Sequence, residues 1–552
     1  MAKSPKTRAS KQAYVSPGQG ILPCFEMPFS GKLASDNRWV VLAGQLPWDL
    51  LVRIYMKQMN NDRTGAGSIN PRVVLGSLII KHICDLSDRE TIQQIRENVY
   101  MQFFIGYSSF SHAAPFDPSL FVEIRHRLGI EQINAINERV VRFIDEKQKK
   151  ITRSSPVLEV DASNPSEPID ENRGKKEEEQ VSGSISSGIE EAQEDDKSND
   201  KSKESVIIPS VANRGKMIID ATVCPQDIAY PTDLNLLNDA REKSEELIGL
   251  LYRKELHGKK PRTYRGKARK FYLAEAQKKS STSRAIRKSN GKQLSFLRRN
   301  IGSIHRLLDK YQGIPLDRRQ YKYLLVIQTV FDQQEWMHKN KVHSVEGRIV
   351  SIHQPHVRPI VRGKRNAKVE FGAKIQVSWM NGYVFLDDLE WEAFNEGARL
   401  MASVEKYRER FGYYPAEVLA DKIYCTRDNR NLLKGLGIKL RAKPLGRPSL
   451  SAAVEDHVRP GERNPIEGVF GQGKTTYGMN RIKARLAHTS GSWIASILMV
   501  INLVKITGLI CHTLICAVPT FSAWCCAFFE NRQGNESQKI IWRLPICLPV
   551  VA

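Results

Sequence analysis

Residues 369–391, VEFGAKIQVSWMNGYVFLDDLEW, have the pattern of a β-hairpin. Apolar and polar residues alternate on both sides of Asn381-Gly382, a dipeptide that is typical of a two-residue turn between antiparallel strands. GRIVSIH, at residues 347–353, has the same period and predicts another strand before the hairpin. The three segments together predict a sheet in this part of the chain.

Two short apolar runs outside the hairpin each lead into a carboxylate. MIID, at residues 217–220, ends in Asp220, and AEVLA, at residues 416–420, is followed by Asp421. Apolar runs of this length are typical of buried strands. With helical segments after each of them, they predict a mixed α/β sheet in which the two aspartates lie at neighbouring strand ends.

Length and charge limit the kind of protein that this chain can form. Its 552 residues are too many for one core, so several domains are expected. A formal net charge of +24 calls for a polyanionic partner; nucleic acid is the usual one, and a membrane surface is the competitor. The nine cysteines show no CxxC spacing, which argues against zinc ribbons and favours a reducing cytoplasm, next to the nucleoid if the partner is DNA.

The N-terminal part predicts an all-α domain at residues 37–150, after a basic N-terminus at residues 1–36. Pro71 opens an apolar helix, Ser87 and Glu90 form a capping box for the next, and LFVEIRHRL, at residues 120–128, makes a third that Gly129 stops. The short turn between the first two fits a helix-turn-helix, with Arg125, His126 and Arg127 on the third helix. A plain helical bundle without DNA contacts is the alternative.

An abrupt change of composition follows at residues 151–213. This segment is acidic, rich in Ser and Gly and poor in aromatic residues, which predicts a disordered linker. The α/β domain is then expected at residues 214–510, with a basic helical insertion near 246–340 and a C-terminal tail at 511–552.

The insertion carries many cations and few acids to neutralise them. Such a surface is suited to tracking DNA phosphates, although a solvated helical face is the alternative. The candidate DNA-binding residues in it are Lys259, Lys260, Arg262, Arg265, Lys267 and Arg269.

A second basic stretch, RNPIEGVFGQGKTTYGMNRIKARL, occupies residues 463–486 and contains one acid, Glu467. If it is helical, Arg463, Glu467, Lys474 and Arg481 are spaced by four, seven and seven residues and lie near one face. Alone this fits a solvated helix. Together with Asp220 and Asp421, Glu467 completes a set of three hard oxygen ligands for Mg²⁺ or Mn²⁺.

Two rival readings concern the same end of the chain. GVFGQGKT, at residues 468–475, fits the P-loop pattern of an NTPase, but the residues before it are charged and broken by proline, unlike the strand a P-loop needs. The apolar run at 493–518 is long enough to cross a membrane, yet Asn502, Lys505 and His512 interrupt it. A buried helix that covers the sheet is the favoured prediction for this run.

With these segments in view, the chain resembles an insertion-sequence DDE transposase of the IS-five type. The similarity follows the chain in order and includes a late signature, Tyr-x2-Arg-x3-Glu-x6-Lys, which is met at Arg463, Glu467 and Lys474 but has Pro460 at the Tyr position. The other similar segments are NRWVVLAGQLPWD (37–49), LGSLIIKHICDLSDRETIQQIRENVYMQFFIG (75–106), IDATVCPQDIAYPTDLNLLNDARE (219–242), RIVSIHQPHVRPIVRGK (348–364), VEFGAKIQVS (369–378) and ADKIY (420–424).

The resemblance implies an RNase H-like catalytic core, a mixed sheet flanked by helices, behind an N-terminal all-α domain that binds DNA or forms dimers. It implies that Asp220, Asp421 and Glu467 are catalytic and bind two divalent ions, Mg²⁺ or Mn²⁺, for cleavage at transposon ends and strand transfer into target DNA. Arg463 and Lys474 would hold DNA phosphate, and the enzyme would act as a homo-oligomer, a dimer on DNA, away from membranes. A catalytically inactive DNA-binding protein of the same fold is the alternative.

Overall fold

A computed structural model of the chain describes residues 33–57, 69–154, 212–313, 315–361, 369–442 and 461–517. The described residues up to Ile144 and from Asn213 onward belong to one compact unit. The predicted basic N-terminus, acidic linker and C-terminal tail lie almost entirely outside the described residues. Their boundaries, and those of the other predicted domains, therefore stay predictions.

α-Helices make up most of the described residues. The α-helices are α1 Arg38–Gln45, α2 Trp48–Lys57, α3 Pro71–Ile83, α4 Asp88–Glu97, α5 Val99–Ile105, α6 Leu120–Ser154, α7 Asp233–Leu251, α8 Lys254–His257, α9 Arg265–Ala276, α10 Ser283–Leu308, α11 Arg318–Asn340, α12 Leu400–Phe411, α13 Arg427–Gly435, α14 Asn464–Thr475 and α15 Ala487–Ala517. The strands are β1 Lys216–Pro225, β2 Arg358–Val361, β3 Val369–Met380, β4 Tyr383–Glu390, β5 Glu417–Leu419 and β6 Lys439–Arg441.

The strands form one mixed sheet in the order β2-β3-β1-β5-β6, with β4 also paired to β3. β3 is antiparallel to β1, β2 and β4, whereas β5 is parallel to both β1 and β6. The predicted hairpin is confirmed: Met380 pairs with Tyr383, and the turn residues Asn381 and Gly382 have φ of 50° and 90°. This left-handed conformation is what a tight turn of matching twist requires. The mixed α/β architecture is therefore as predicted.

Residues 347–353, predicted as a strand, are irregular instead, and the strand β2 begins only at Arg358. The side chain of Gln333 accepts a hydrogen bond from the Ile349 amide at 3.0 Å, so this donor is not available to a neighbouring strand. Ile349 and Ile352 pack in a separate apolar cluster with the helices α7, α10 and α11. The period-two pattern here reflects burial on this helical insertion, and the strand prediction is wrong.

The N-terminal helices begin where the sequence predicts. Asn70 and Ser87 cap α3 and α4, and their side chains accept hydrogen bonds from the amides of Arg72 and Glu90. One detail differs from the prediction, because Asn98 interrupts the second helix before α5. Gly129 ends the third helix as predicted: its φ of 51° and ψ of 177° are not helical, and a further helix follows it within α6. These helices share one apolar core with the sheet.

The apolar helix α15 is long and apolar enough to cross a membrane, but 89% of its apolar window is buried inside the protein. Asn502, one of the polar residues that interrupt it, accepts a hydrogen bond from the Val384 amide and donates to the Asn137 side chain. Asn502 therefore has hydrogen-bond partners inside the protein, as buried polar side chains usually do. The prediction of a buried helix over the sheet is confirmed for residues 487–506.

Candidate active site

The parallel register of β1 and β5 brings the two predicted catalytic aspartates together. Ile218 pairs with Leu419, so two residues further along each chain Asp220 and Asp421 are level with each other. Side chains two residues apart point to the same face, which places both carboxylates on the face of Ile218 and Leu419. Asp421 lies two residues after the end of β5 and caps a short 3-10 helix, accepting a hydrogen bond from the Lys422 amide at 2.7 Å.

Asp220 was predicted at the end of its strand, and this position is wrong. It is the fifth residue of the ten-residue strand β1. The strand continues because β3 pairs with it from Met217 to Pro225, whereas β5 pairs only with Lys216–Ile218. Asp220 thus lies where the parallel neighbour ends, so one side of the strand is open beside the carboxylate.

Arg463 joins the two aspartates. Its Nη2 lies 3.0 Å from Asp220 Oδ2, and its Nη1 lies 3.5 Å from Asp421 Oδ1. The side chains of Arg463 and Asp220 are 17% and 19% exposed, whereas that of Asp421 is 61% exposed. The better-buried half of this arrangement, Arg463 with Asp220, is therefore shielded from solvent.

Burial raises the pKa of the Asp220 carboxyl above its usual value, and the nearby Arg463 guanidinium opposes this rise. The negative charges of Glu396 and Asp421 raise the pKa further. Glu396 pairs with Lys374 at 2.8 Å and was not singled out from the sequence. It lies in the turn before a short 3-10 helix, where neither periodicity nor a motif marks it.

The helix α14 places the third predicted acid. Ile466 is fully buried and packs in a small apolar cluster with Ile218 and Leu419, two residues before each aspartate. Glu467 is the next residue, exposed in the first turn of the helix. Within the described residues, however, no group of three or more His, Cys, Asp or Glu side chains is arranged to hold a metal ion. The fold brings two of the acids together and leaves the third beside them on the helix.

The single long helix expected at residues 463–486 is shorter in the structure. α14 ends at Thr475, with Arg463 as its N-terminal cap residue and Lys474 half-buried in its last turn. Arg481 lies beyond the helix and pairs with Asp227 at 2.8 Å. The predicted common face therefore holds for Arg463, Glu467 and Lys474 and is wrong for Arg481.

The P-loop pattern has no P-loop geometry. Residues 468–475 lie entirely within α14, whereas a phosphate-binding loop requires a loop between a buried strand and a helix. Added Cβ atoms at Gly468 and Gly471 would meet nothing within 4 Å, so these glycines leave the outer side of the helix flat. The structure therefore argues against an NTPase function for this segment.

The basic insertion presents its cations to solvent. The six predicted DNA-binding residues are all exposed, three before α9 and three on it. Arg265 contacts Glu245 at 3.1 Å, and Lys260 lies over the ring of Tyr252 at 5.5 Å. The other members of the set are Lys259, Arg262, Lys267 and Arg269.

A groove on the same insertion was missed from the sequence. It encloses about 880 Å³ and is lined by the start of α7, the end of α9, the start of α10 and the end of α11. Arg284 and Lys341 contribute cations to its wall, and Ile286 and Val342 contribute apolar surface. Only folding brings these helix ends together, so no sequence pattern could have indicated the groove.

Of the three predicted helix-turn-helix cations, His126 and Arg127 are exposed, whereas Arg125 does not face outward. Arg125 is buried and donates two hydrogen bonds to Asp88, each of 2.9 Å, and its carbonyl accepts a hydrogen bond from Ser492 of α15. His126 packs edge-to-face against His488. The third helix is therefore held against the core through Arg125, which is a structural cation in the described fold.

The sequence also contains the pattern HxxH at His353 and His356, and each of these imidazoles packs against an aromatic side chain. The His353 ring contacts the Tyr323 hydroxyl at 3.0 Å, whereas His356 packs edge-to-face against Trp391. The two imidazoles thus have different neighbours.

Two segments of the chain match known families. Residues 418–504 match a family described as "Transposase DDE domain", and residues 28–127 match one described as "Transposase domain (DUF772)". The first match contains Asp421 and Glu467, and Asp220 lies outside both. No solved structure matches the chain.

A curated relative comes from Rhizobium meliloti, "Uncharacterized protein ORF8 in nfe locus", which is 35% identical over 98 residues. The match covers 16% of this chain and 42% of that protein, so the chain spans about two fifths of the length of the relative it matches. A transposase family matches near each end of the described chain, in the order that the sequence resemblance predicts, and these two matches support an insertion-sequence DDE transposase.

Proposed function

We propose that this protein cuts DNA at the ends of its insertion sequence and transfers the freed strand into target DNA, with Asp220, Asp421 and Glu467 as its catalytic acids. The observation that carries the proposal is the meeting of Asp220 and Asp421, far apart in sequence, at one guanidinium beside the helix of Glu467. The match to the transposase DDE domain supports it, since Asp421 and Glu467 lie in the matched residues.

The sheet supports a finer proposal about the fold. Two antiparallel neighbours, β1 and β3, are followed by the parallel strands β5 and β6, with helices packed beside them. We propose that this is the RNase H-like core implied by the sequence resemblance. In it the aspartates lie on adjacent strands and the glutamate on a flanking helix.

The aspartate pair fits a divalent cation in its chemistry. Carboxylate oxygens are the hard donors that Mg²⁺ and Mn²⁺ prefer, and the guanidinium held between Asp220 and Asp421 shows that the pair favours positive charge. Bound ions, two in this proposal, would activate the attacking oxygen and stabilise the leaving one. The chain's own part is to hold the two carboxylates level and to supply Glu467 from α14.

DNA is the proposed substrate and the proposed polyanionic partner. The exposed cations of the insertion, Lys259 to Arg269, offer phosphate contacts, and Lys474 lies two turns after Glu467 on α14. The flat outer side of α14 at Gly468 and Gly471 leaves room for a DNA backbone to approach. A dimer on DNA in the bacterial cytoplasm completes the proposal.

Asp421→Asn tests this function directly. The change keeps the size of the side chain and removes its charge, so binding to end DNA is expected to persist while Mg²⁺-dependent nicking is lost. Lys434→Gln, an exposed cation on the neighbouring helix α13, serves as a control that should still nick. Nicking by Asp421→Asn at the wild-type rate would refute the assignment.

The second candidate is a catalytically inactive DNA-binding protein of the same fold. The observation that favours it is that the described residues contain no preassembled group of three metal-binding side chains. DNA binding by the wild-type protein without any nicking in Mg²⁺ or Mn²⁺ would support this second candidate.

A further inference from the structure

Arg463 occupies the position between the two aspartates that a metal ion needs. One guanidinium nitrogen contacts Asp220 and another contacts Asp421, at 3.0 and 3.5 Å. A divalent ion shared by these carboxylates must approach their oxygens to about 2.1 Å, which a guanidinium on the same oxygens prevents. The cation and the metal therefore compete for one place.

We propose that Arg463 is an exchangeable counter-ion, which holds the aspartate pair without metal and moves to DNA phosphate when DNA binds, so that metal enters only in the DNA complex. The inference rests on the proposed function, because it takes Asp220 and Asp421 as metal ligands. It makes Arg463 a positioning residue: it acts on the order in which DNA and metal bind.

The position of Arg463 allows such a movement. It precedes the first turn of α14 as the cap residue, and its side chain does not cap the helix. Gly461, two residues earlier, has φ of 88°, so the chain enters the helix through a tight turn. The helix behind Arg463 is fixed by the buried Ile466, so the arginine side chain can move while Glu467 stays in place.

The charges around Arg463 give the exchange its direction. Without Arg463, Asp220 and Asp421 face each other as two like charges, one of them largely buried, so a replacement cation is required. Phosphate and carboxylate both accept the two-pronged contact of a guanidinium, so a DNA backbone close to α14 offers Arg463 an equivalent partner. DNA binding thereby frees the carboxylates at the moment that the ions are needed.

Thermodynamic linkage between DNA binding and Mn²⁺ binding makes the proposal measurable. If DNA raises the affinity of the protein for Mn²⁺ by some factor, Mn²⁺ must raise the affinity for DNA by the same factor. Breaking the charge-assisted contacts of Arg463 is expected to change metal affinity about tenfold or more.

The experiment measures Mn²⁺ binding by electron paramagnetic resonance, with and without a 30-base-pair duplex of arbitrary sequence. Wild-type protein is expected to bind Mn²⁺ weakly alone and about tenfold more tightly with the duplex. Arg463→Gln is expected to bind tightly without DNA and to gain much less from the duplex. Arg481→Gln, which removes an exposed guanidinium that pairs with Asp227, is the matched control and should behave as wild type.

Arg463→Lys tests whether Arg463 acts by occupying the metal position between the two aspartates or only by its positive charge. Lysine keeps the positive charge but lacks the fork that reaches both carboxylates, so this variant is expected to bind Mn²⁺ more tightly than wild type. Equal affinities of the lysine variant and wild type would mean that charge repulsion alone acts, and would overturn the exchange. Tight Mn²⁺ binding by wild type without DNA would overturn it as well.

Two further measurements keep the outcomes distinct. Should Arg463→Gln fold poorly, which circular dichroism would show, the gain of wild-type Mn²⁺ affinity on adding the duplex still decides the question. Adding Asp220→Asn to Arg463→Gln should abolish the tight binding. If it does not, the metal lies elsewhere and the proposed function itself fails, whereas a failure of the exchange alone leaves metal-dependent nicking by wild type intact.

Discussion

Arg410 and Asp387 form an ion pair in the interior of the protein, with Nη1 of the arginine 2.7 Å from Oδ1 of the aspartate. Their side chains are 5% and 0% exposed. Arg410 also pairs with Glu138 of α6 at 2.7 Å, so a single guanidinium connects α12, the strand β4 and an N-terminal helix. This contact is one of the points at which the predicted N-terminal domain and the sheet become a single core.

Arg410→Met is expected to destabilise the protein by about 3–5 kcal/mol, because it leaves the buried carboxylate of Asp387 without its partner. The measurement is the free energy of unfolding in urea. Arg408→Met on the same helix is the control: Arg408 is exposed and lies 3.8 Å from Glu405, and such a surface pair is worth about 0–1 kcal/mol. Equal losses in both variants would contradict the role given to the buried pair.

Protein stability is expected to fall on acidification because of His356. Burial against Trp391 lowers the pKa of His356 to about 4 from the ordinary 6.5. The folded protein therefore favours the neutral imidazole, so this contribution to stability is complete above pH 6.5 and is lost as the pH falls through 4. His356→Gln should flatten the dependence of the unfolding free energy on pH between 6.5 and 4.

His353→Gln is the control for this pH effect, since His353 is exposed. It should leave the slope in that window unchanged. An unaltered slope in His356→Gln would mean that other groups cause the acid sensitivity.

Gly372→Ala is expected to weaken the sheet next to the candidate site. A Cβ at this position would lie 2.0 Å from the Cys224 carbonyl oxygen in β1. This oxygen belongs to the backbone of a paired strand, so it cannot move away as a flexible side chain could. The cost of such overpacking is about 1–3 kcal/mol or more in unfolding free energy. Gly468→Ala is the opposite case, because its Cβ meets nothing and alanine favours helix, so a gain of about 0.5–1 kcal/mol is expected. Similar losses at both positions would contradict the geometry.

Binding of duplex DNA is expected to weaken steeply with salt. If Lys259, Lys260 and Arg262 contact phosphates, replacing all three by alanine should lower the slope of log affinity against log salt by about 2–3. The measurement is fluorescence anisotropy of a labelled duplex at several salt concentrations. Arg408→Ala, an exposed cation outside the insertion, should leave the slope unchanged, and an unchanged slope in the triple variant would show that the insertion faces solvent only.

The hairpin at Asn381-Gly382, the capped helices α3 and α4 and the buried character of α15 followed from local pattern, because turn chemistry, caps and apolar periods depend on neighbours in the chain. The period-two residues at 347–353 show the limit of such reasoning. Their alternation reports burial, and whether burial is on a sheet or on helices depends on what packs against them. Arg125 shows the same limit for charge, since its partner Asp88 belongs to another helix.

For the candidate site, too, local pattern and tertiary contacts supplied different parts of the description. The candidate acids were identified from sequence alone, and the spacing placed Glu467 one helical turn from Arg463 and two turns from Lys474. The apolar run before Asp220 marked this acid, but the sequence did not show how its surroundings differ from those of Asp387, which also lies within an apolar strand.

That difference comes from the tertiary structure. The parallel pairing of β1 with β5 ends two residues before Asp220, which brings this carboxylate level with the exposed Asp421, whereas Asp387 is enclosed with Arg410 in the interior. Strand pairing joins residues that are distant in the chain, and a carboxylate's role depends on solvent and on opposite charges that only such pairing supplies.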